Sequence, residues 1–165
     1  MAMEEDMAQL ALQETRLQFE TFNSAVALDI GLRLKTLIES RGKKAAIDIQ
    51  LAGHALFCHA MQGSTPANMD WVRRKRNTVM RFHKSSYAVG FDMKKNNFAF
   101  AERYGLDSTE FVAAGGAFPV RLRGSGVVGT IAISGLPERE DHGVIVEVLC
   151  DLLGQNLDEL ALGEA

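Results

Sequence analysis

Apolar positions recur along this chain with two different periods, and the first is helical. Residues 22–42 carry apolar side chains mostly four positions apart, on one face of a helix: Val26, Ile30, Leu34, Leu37 and Ile38. Asn23 or Ser24 can accept the free N–H groups at the start of this helix, and Gly42 suits a left-handed stop after it. Residues 4–20 contain good helix formers and predict an earlier helix.

Four shorter apolar stretches lack the helical period and predict two β-hairpins. The first hairpin contains AAIDIQL and ALFCHAMQ, and the second contains STEFVAAGGAFPVRL and GVVGTIAIS on either side of the turn RGSG. A long amphipathic helix is predicted between them, from Asn68 or Asp70 to the mid-90s. A last helix follows Pro137, where early acidic residues suit the positive end of the helix dipole.

The predicted order of elements is α-β-β-α-β-β-α, preceded by an extra N-terminal helix. Hairpins that alternate with helices favour an α+β fold, with an antiparallel sheet and helices packed on it, over a parallel Rossmann-type sheet. The expected organisation is an N-terminal helical extension over residues 1–22 and a single domain over residues 23–165.

Composition places the chain among globular proteins of one domain. It has 165 residues, 47% hydrophobic and 24% charged, and contains no apolar run of the length that a membrane helix needs. The acidic start, MAMEEDMAQL, is unlike a secretory signal, so we expect a cytoplasmic protein. Cys58 and Cys150 have no metal-binding or redox spacing, and we expect both to be reduced core thiols.

One segment is strongly basic although the formal net charge is −3 and the pI is near 5.8. Residues 71–86, WVRRKRNTVMRFHKSS, contain six Lys or Arg side chains. An acidic protein lacks the usual basic footprint of a nucleic-acid binder, so nucleic acid is a poor explanation. These cations could equally be a solvated helix face, a contact between subunits, or the site of an anionic ligand.

A helical projection of residues 71–86 singles out Lys75. Trp71, Thr78 and Phe82 share its apolar arc, whereas most of the cations lie on the other side. An ammonium group in that arc must snorkel to water, pair with a buried carboxylate, or meet a ligand anion. His83 lies at the edge of the arc.

Other groups of reactive side chains have simpler explanations. On a regular strand, His54 and His59 would face opposite sides of the sheet, while His54 and Cys58 would share one side without a third ligand. Neighbouring positions on a helix point about 100° apart, so Asp141 is badly placed to orient His142 in a triad with an upstream serine. We therefore predict neither a metal site nor a catalytic triad.

Three segments together resemble the GlcG/HbpS-like family of haem-degrading or haem-binding domains, in its uncharacterised cytosolic branch. The segments are AIDIQLAGHALFCHAMQG, RRKRNTVMRF and GGAFPVRLRGSGVVGTIAISGLPEREDHGVIVEVL, within roughly residues 24–155. The matching positions are Lys75, Thr78, Phe82, Gly115, Gly116, Pro119, Val120, Val127, Val128, Gly129, Ile131, Ile133, Ser134, Gly135 and Asp141. The chain departs from the family at Gln50 and Gln62, where carboxylates are common.

The resemblance implies a profilin-like or GlcG-like fold, homo-oligomers, and in some members the binding of haem or a related tetrapyrrole. The implied ligand is small and anionic, with Lys75 and Arg74 or Arg81 holding its carboxylates, and His83 is the candidate axial ligand if it is a haem. The full set of candidate ligand-binding residues is Trp71, Arg74, Lys75, Thr78, Arg81, Phe82, His83, Gly115 and Gly116. The alternative is an oligomeric scaffold or adaptor that uses its basic helix for protein contacts. An enzyme ranks last, because no acid, base and nucleophile converge.

Overall fold

A computed structural model describes residues 2–164 of the chain. Hairpins and helices alternate in it as the pattern of apolar residues predicts. The elements are α1 (Ala2–Arg16), α2 (Ser24–Ser40), β1 (Ala46–Leu51), β2 (His54–Ala60), α3 (Pro66–Phe82), α4 (Ser86–Asn96), α5 (Phe100–Tyr104), β3 (Ala117–Leu122), β4 (Gly126–Ser134), α6 (Glu138–Leu153) and α7 (Leu157–Leu160). The Oδ1 atom of Asn23 accepts the Val26 N–H at 3.0 Å, which confirms the predicted start of α2.

The four strands form one antiparallel sheet in the order β2-β1-β4-β3. This arrangement confirms the predicted α+β class. β1 and β4 lie in the middle, so β2 and β3 are the edge strands. β3 begins at Ala117, later than predicted, because the preceding loop is bonded to α3 instead of to the sheet.

Helices cover both faces of the sheet, and the two faces differ in side-chain size. The α2 and α6 side is a core of large side chains: Ile47, Ile49, Phe118, Val120, Ile131 and Ile133 with Ile30, Leu34, Ile145 and Leu149. On the other side, Val72 and Val79 of α3 pack against Ala46, Ala117 and Ala132. Small strand residues let the backbone of α3 lie close to the sheet, where its polar side chains can reach strand carbonyls.

The predicted long helix over residues 68 to the mid-90s is wrong in one respect, since it is two helices. α3 ends at Phe82 and is followed by the C-cap residue His83, which adopts a left-handed φ of 57°, and α4 begins after Ser85. The Ser85 hydroxyl accepts the Ala88 N–H at 3.1 Å, and Glu14 accepts the Ser85 N–H at 3.3 Å. Serine competes with helical hydrogen bonds and favours caps, which explains the break.

A β-bulge in the first hairpin overturns the expected placement of its histidines. Ile49 pairs with Phe57 but Gln50 pairs with Ala55, so one extra residue shifts the register. His59 is paired with Ile47 and His54 with Leu51, two positions that face α2 and α6. His54 and His59 therefore lie on the same side of the sheet, and Cys58, opposite Asp48, lies on the other.

The cysteines differ from each other in exposure. Cys150 is a buried thiol, as expected, whereas Cys58 is exposed on the edge strand, so the prediction of a core position is wrong for Cys58. Both are free thiols. Within residues 2–164, no helix is long and apolar enough to cross a membrane.

Candidate functional site

Lys75 of α3 is buried and forms an ion pair with Asp141 of α6. Only 3% of Lys75 and 1% of Asp141 are exposed, and the Lys75 Nζ lies 2.9 Å from Asp141 Oδ2. The same Nζ donates to the Ile133 carbonyl at 3.1 Å, and the Leu136 N–H donates to Asp141 Oδ1 at 3.0 Å. Burial raises the pKa of Asp141 to about 6, although the Lys75 ammonium opposes this change. Of the three explanations for an ammonium group in the apolar arc, the structure shows the pairing of Lys75 with a buried carboxylate.

Gly116 lies directly against this ion pair, and Gly115 lies against Glu138 and Tyr87. Gly116 has a φ of +131°, and a Cβ there would lie 2.6 Å from both Lys75 Nζ and the Ile133 carbonyl oxygen. Gly115 donates its N–H to Glu138 Oε2 at 3.1 Å, so this amide binds an anion from the chain itself. Gly116 thus allows the backbone to approach the ion pair closely.

The cations of residues 71–86 are mostly paired inside the chain. Within residues 2–164, five of the six form ion pairs: Arg73 with Asp70 and Glu110, Arg74 with Asp70, Lys75 with Asp141, Arg76 with Asp48, and Lys84 with Asp92. Arg73 and Asn77 also bind the loop carbonyls of Thr109 and Glu110. Arg73 therefore attaches a neighbouring loop, and few charges of the basic segment remain for an outside partner.

Thr78 completes this attachment. Its hydroxyl lies 2.8 Å from the Val112 carbonyl oxygen, to which it donates, and 3.2 Å from the Val112 N–H, which it accepts. Thr78 is fully buried, so its hydroxyl serves the loop.

Arg81 is the cation without a carboxylate partner in the described part of this helix, and it lies among aromatic rings. We call this set of residues the aromatic–arginine cluster: Arg81, Phe82, Phe98, Phe100, Arg103 and Tyr104. Phe82 stacks on Phe100 at 5.4 Å and meets Tyr104 edge-on at 5.0 Å. The Arg81 guanidinium lies 5.5 Å from the Phe82 ring centre, and that of Arg103 lies 4.9 Å from the Phe98 ring centre.

The cluster borders an open cleft of about 300 Å³. The cleft is lined by Phe82, Lys84, Val89, Asp92, Asn96, Phe98, Arg103 and Tyr104. Arg81 and Arg103 are both exposed, and neither is bonded to a carboxylate within residues 2–164. His83 follows Phe82 directly and is also exposed, so an imidazole stands beside the cluster. Planar rings, guanidinium groups and an imidazole suit a planar ligand that carries carboxylates.

Trp71 and Arg74 lie at the other end of α3. The Arg74 guanidinium is 4.2 Å from the centre of the Trp71 ring, which is 40% exposed. Eleven residues separate Trp71 from Phe82, or about 16 Å along a helix, so they do not form walls of one small pocket. The nine predicted residues thus fall into three groups. Trp71 and Arg74 form the first group, and Arg81, Phe82 and His83 form the second. The third group is buried and consists of Lys75, Thr78, Gly115 and Gly116.

Sequence reasoning missed Phe98, Arg103 and Tyr104. The three closely spaced aromatic residues of FAFAERY, with Arg103 beside the last of them, were a usable signal, but this segment lies outside the resembling segments. Their approach to Phe82 also depends on the turn at His83, which the predicted continuous helix did not include.

The structure brings together no metal site or triad in the part of the chain that it describes. No group of three or more His, Cys, Asp and Glu side chains within residues 2–164 could hold a metal ion. His142 is bonded to Gln13, and Asp141 is bonded to Lys75 and Leu136. Asp141 therefore does not orient the neighbouring histidine.

Comparison with known proteins finds a matching family model and similar chains. Residues 22–150 match the family model described as "Haem degrading protein HbpS-like". The chain is 46% identical over 162 residues to the UPF0303 protein of Azotobacter vinelandii, with 98% of each chain covered.

Two solved structures share the fold. The crystal structure of Ybr137w protein has a TM-score of 0.81 and 32% identity, covering 90% of this chain and 87% of that chain. The crystal structure of the PduOC:Heme complex has a TM-score of 0.64 and 16% identity, covering 79% of this chain and 92% of that chain. At the lower identity, the likeness concerns the fold alone.

Proposed function

The chain belongs to the HbpS-like family, and from that premise we propose that it binds haem or another planar, anionic tetrapyrrole at the aromatic–arginine cluster. The observation that carries the proposal is the pair of exposed guanidinium groups, Arg81 and Arg103, held against aromatic rings without a carboxylate partner within residues 2–164. The haem bound by PduOC, a protein of the same fold, supports this choice of ligand.

Each group of the cluster has a separate part in this proposal. Arg81 and Arg103 would hold the ligand carboxylates through charge-assisted hydrogen bonds. Phe82, Phe98 and Tyr104 would present ring faces and edges to the macrocycle. His83 supplies an imidazole for the iron of a haem, which is the usual protein donor to that metal.

The other predicted ligand-binding residues have supporting parts in the proposal. Lys75, Thr78, Gly115 and Gly116 fix α3 against the sheet and the loop, and so position the end of α3 that carries the cluster. Trp71 and Arg74 form a separate exposed pair at the start of α3. The proposal also keeps the protein in the cytoplasm, where free thiols stay reduced, and includes the formation of homo-oligomers.

We expect purified protein to give a saturable Soret shift on titration with hemin. The double variant Arg81→Ala/Arg103→Ala should bind hemin about tenfold more weakly or worse, because two contacts to carboxylates are lost. His83→Ala should change the Soret position of the bound hemin while leaving iron-free protoporphyrin binding nearly unchanged. Absorption and fluorescence titrations measure these quantities, and far-UV circular dichroism checks that each variant folds.

The matched control is Trp71→Ala/Arg74→Ala, which removes one aromatic residue and one arginine from the opposite end of α3. This control should bind hemin like the wild type. Absence of a saturable shift in the wild type would refute haem binding. Equal weakening in the control and the cluster variant would refute the location.

A further inference from the structure

The buried face of α1 carries a carboxylate between two core leucines. Glu14 stands four residues after Leu10 and three before Leu17, so the three side chains share one face of the helix. Both leucines are buried, and Leu10 packs against Tyr87 and Phe91 of α4. Only 11% of the Glu14 side chain is exposed. A helix that precedes residues 22–150, the part matched by the family model, therefore holds a nearly buried acid.

Both oxygens of this carboxylate are used at elements that surround the turn between α3 and α4. The Oε2 atom of Glu14 accepts the Ser85 N–H at 3.3 Å, and Oε1 lies 3.4 Å from Arg121 Nη2. Burial raises the pKa of Glu14, whereas the Ser85 N–H and Arg121 lower it by favouring the ionised form. Glu14 thus connects α1 to the residue that caps α4 and to an arginine of β3.

Arg121 extends this connection to His83. The same Nη2 atom donates to the His83 carbonyl at 2.9 Å. The backbone of the turn is therefore held at two points, by Arg121 at His83 and by Glu14 at Ser85. The His83 side chain itself is exposed.

The backbone of His83 adopts a conformation that favours glycine. Its φ of 57° lies in the left-handed region, where glycine has no Cβ to clash and is the common residue after the end of a helix. A turn that only had to end α3 would form more easily with glycine, and it would then carry no imidazole beside the aromatic–arginine cluster. The anchored backbone and the exposed ring together indicate a turn that presents the imidazole.

We propose that Glu14 is a positioning residue for His83, because through Ser85 and Arg121 it fixes the backbone from which the imidazole reaches the iron of a bound haem. This role rests on the proposed function and adds α1 to the elements that build the proposed site. Loss of the carboxylate removes the acceptor of the Ser85 N–H and the acidic partner of Arg121, so the turn should open more often.

Amide hydrogen exchange followed by NMR tests the turn without any ligand. In Glu14→Ala, the Ser85 amide should exchange about tenfold faster than in the wild type or more, because a hydrogen bond to a charged acceptor is lost. Glu14→Gln keeps an oxygen for the Ser85 N–H and should exchange at an intermediate rate. The matched control is Glu20→Ala, which removes an acid paired with Arg123 at 2.6 Å and should leave Ser85 exchange unchanged. Unchanged exchange in Glu14→Ala would overturn the role of Glu14 in the turn.

Titration with hemin tests the position of the imidazole. Glu14→Ala should shift the Soret band of bound hemin in the same direction as His83→Ala, and it should bind iron-free protoporphyrin nearly like the wild type. Because Glu14 acts through His83, the double variant Glu14→Ala/His83→Ala should have the Soret position of His83→Ala alone.

The outcomes of this titration separate the positioning role from the proposed function. A wild type without a saturable Soret shift would overturn the proposed function, and with it any role of Glu14 toward the iron. A wild type that binds hemin with a Soret position unchanged in Glu14→Ala would overturn the positioning role alone. Equal weakening of hemin and protoporphyrin binding in Glu14→Ala would also overturn it, since that result would mean a general loss of structure at the site.

Discussion

Replacing Lys75 by methionine is expected to lower the free energy of unfolding by about 3–5 kcal/mol near neutral pH. The substitution keeps an unbranched apolar stem but leaves the Asp141 carboxylate buried without its counter-ion. Lys75 and Asp141 are almost fully buried, so water cannot replace the lost contact. Urea denaturation followed by circular dichroism measures the change.

The pH dependence of this loss separates charge from packing. In the folded wild type, the Asp141 pKa is raised to about 6, and removal of Lys75 would raise it further. The cost of Lys75→Met should therefore shrink as the pH falls toward about 6, over the range in which Asp141 is neutral in the variant but ionised in the wild type, and should stay constant below about 6. A loss of stability that is the same at about pH 8 and about pH 6 would point to lost packing instead.

Two variants complete the test of the ion pair. Arg81→Met removes an exposed cation of the same helix, which has no carboxylate partner in the described chain, and should change stability by less than about 0.5 kcal/mol. The double variant Lys75→Met/Asp141→Leu should recover much of the lost stability, since no buried charge remains unpaired. Failure to recover would mean that the two side chains do not act on stability through each other.

Lys75 illustrates what the sequence can and cannot reveal about this protein. Its position in the apolar arc of a helix is local information, and it was sufficient to single out the residue. Its partner lies 66 residues further along the chain, and only the packing of α6 beside the end of β4 brings Asp141 within reach. The choice between a ligand anion and a buried carboxylate therefore depended on tertiary structure.

The element order was predictable because hydrophobic period and turn residues act locally. Two of the errors in the elements each come from one residue. One extra residue in β2 turned His54 to the side of His59, and the cap formed by Ser85 divided one predicted helix into two. Neither feature changes the hydrophobic pattern, so periodicity could not reveal it.

The candidate site was predictable only at the end of α3. Arg81, Phe82 and His83 are adjacent in sequence and stay together in the structure. The aromatic residues that join them lie on or next to α5, and only the path of the chain through α4 brings them to Phe82. That path has no signature in the order of residues.

His142 is connected through Gln13 of α1 to Leu160 of α7 by two hydrogen bonds. Its Nε2 is 2.7 Å from Gln13 Oε1, and Gln13 Nε2 donates to the Leu160 carbonyl at 2.7 Å. The amide nitrogen of Gln13 donates to Leu160, so Gln13 turns its amide oxygen, Oε1, toward His142 and can only accept from it. His142 must therefore donate from Nε2, and its Nδ1 is a bare lone pair without a partner among residues 2–164.

Acidification is expected to destabilise the protein through this histidine. Burial and the nearby Arg139 lower the pKa of His142 from 6.5 to about 3 in the folded state. Since the folded value lies below the unfolded value, the unfolded chain binds the proton more readily, and stability falls as the pH decreases from 6.5. The loss should be about 1.4 kcal/mol per pH unit, or roughly 2–3 kcal/mol near pH 4.5.

His142→Gln tests this expectation, since glutamine keeps a side-chain N–H for Gln13 but cannot be protonated. The variant should be less stable than the wild type near pH 7, and the difference between the two should narrow by about 1.4 kcal/mol for each pH unit below about 6.5. His54→Gln, at an exposed histidine of β2, is the matched control and should leave the pH dependence unchanged. A constant difference between wild type and His142→Gln from pH 7 to pH 4.5 would contradict a neutral, buried His142. Nitrogen chemical shifts provide an independent check, because the Nε2–H tautomer gives different values for the two ring nitrogens and should persist in the folded protein well below pH 6.5.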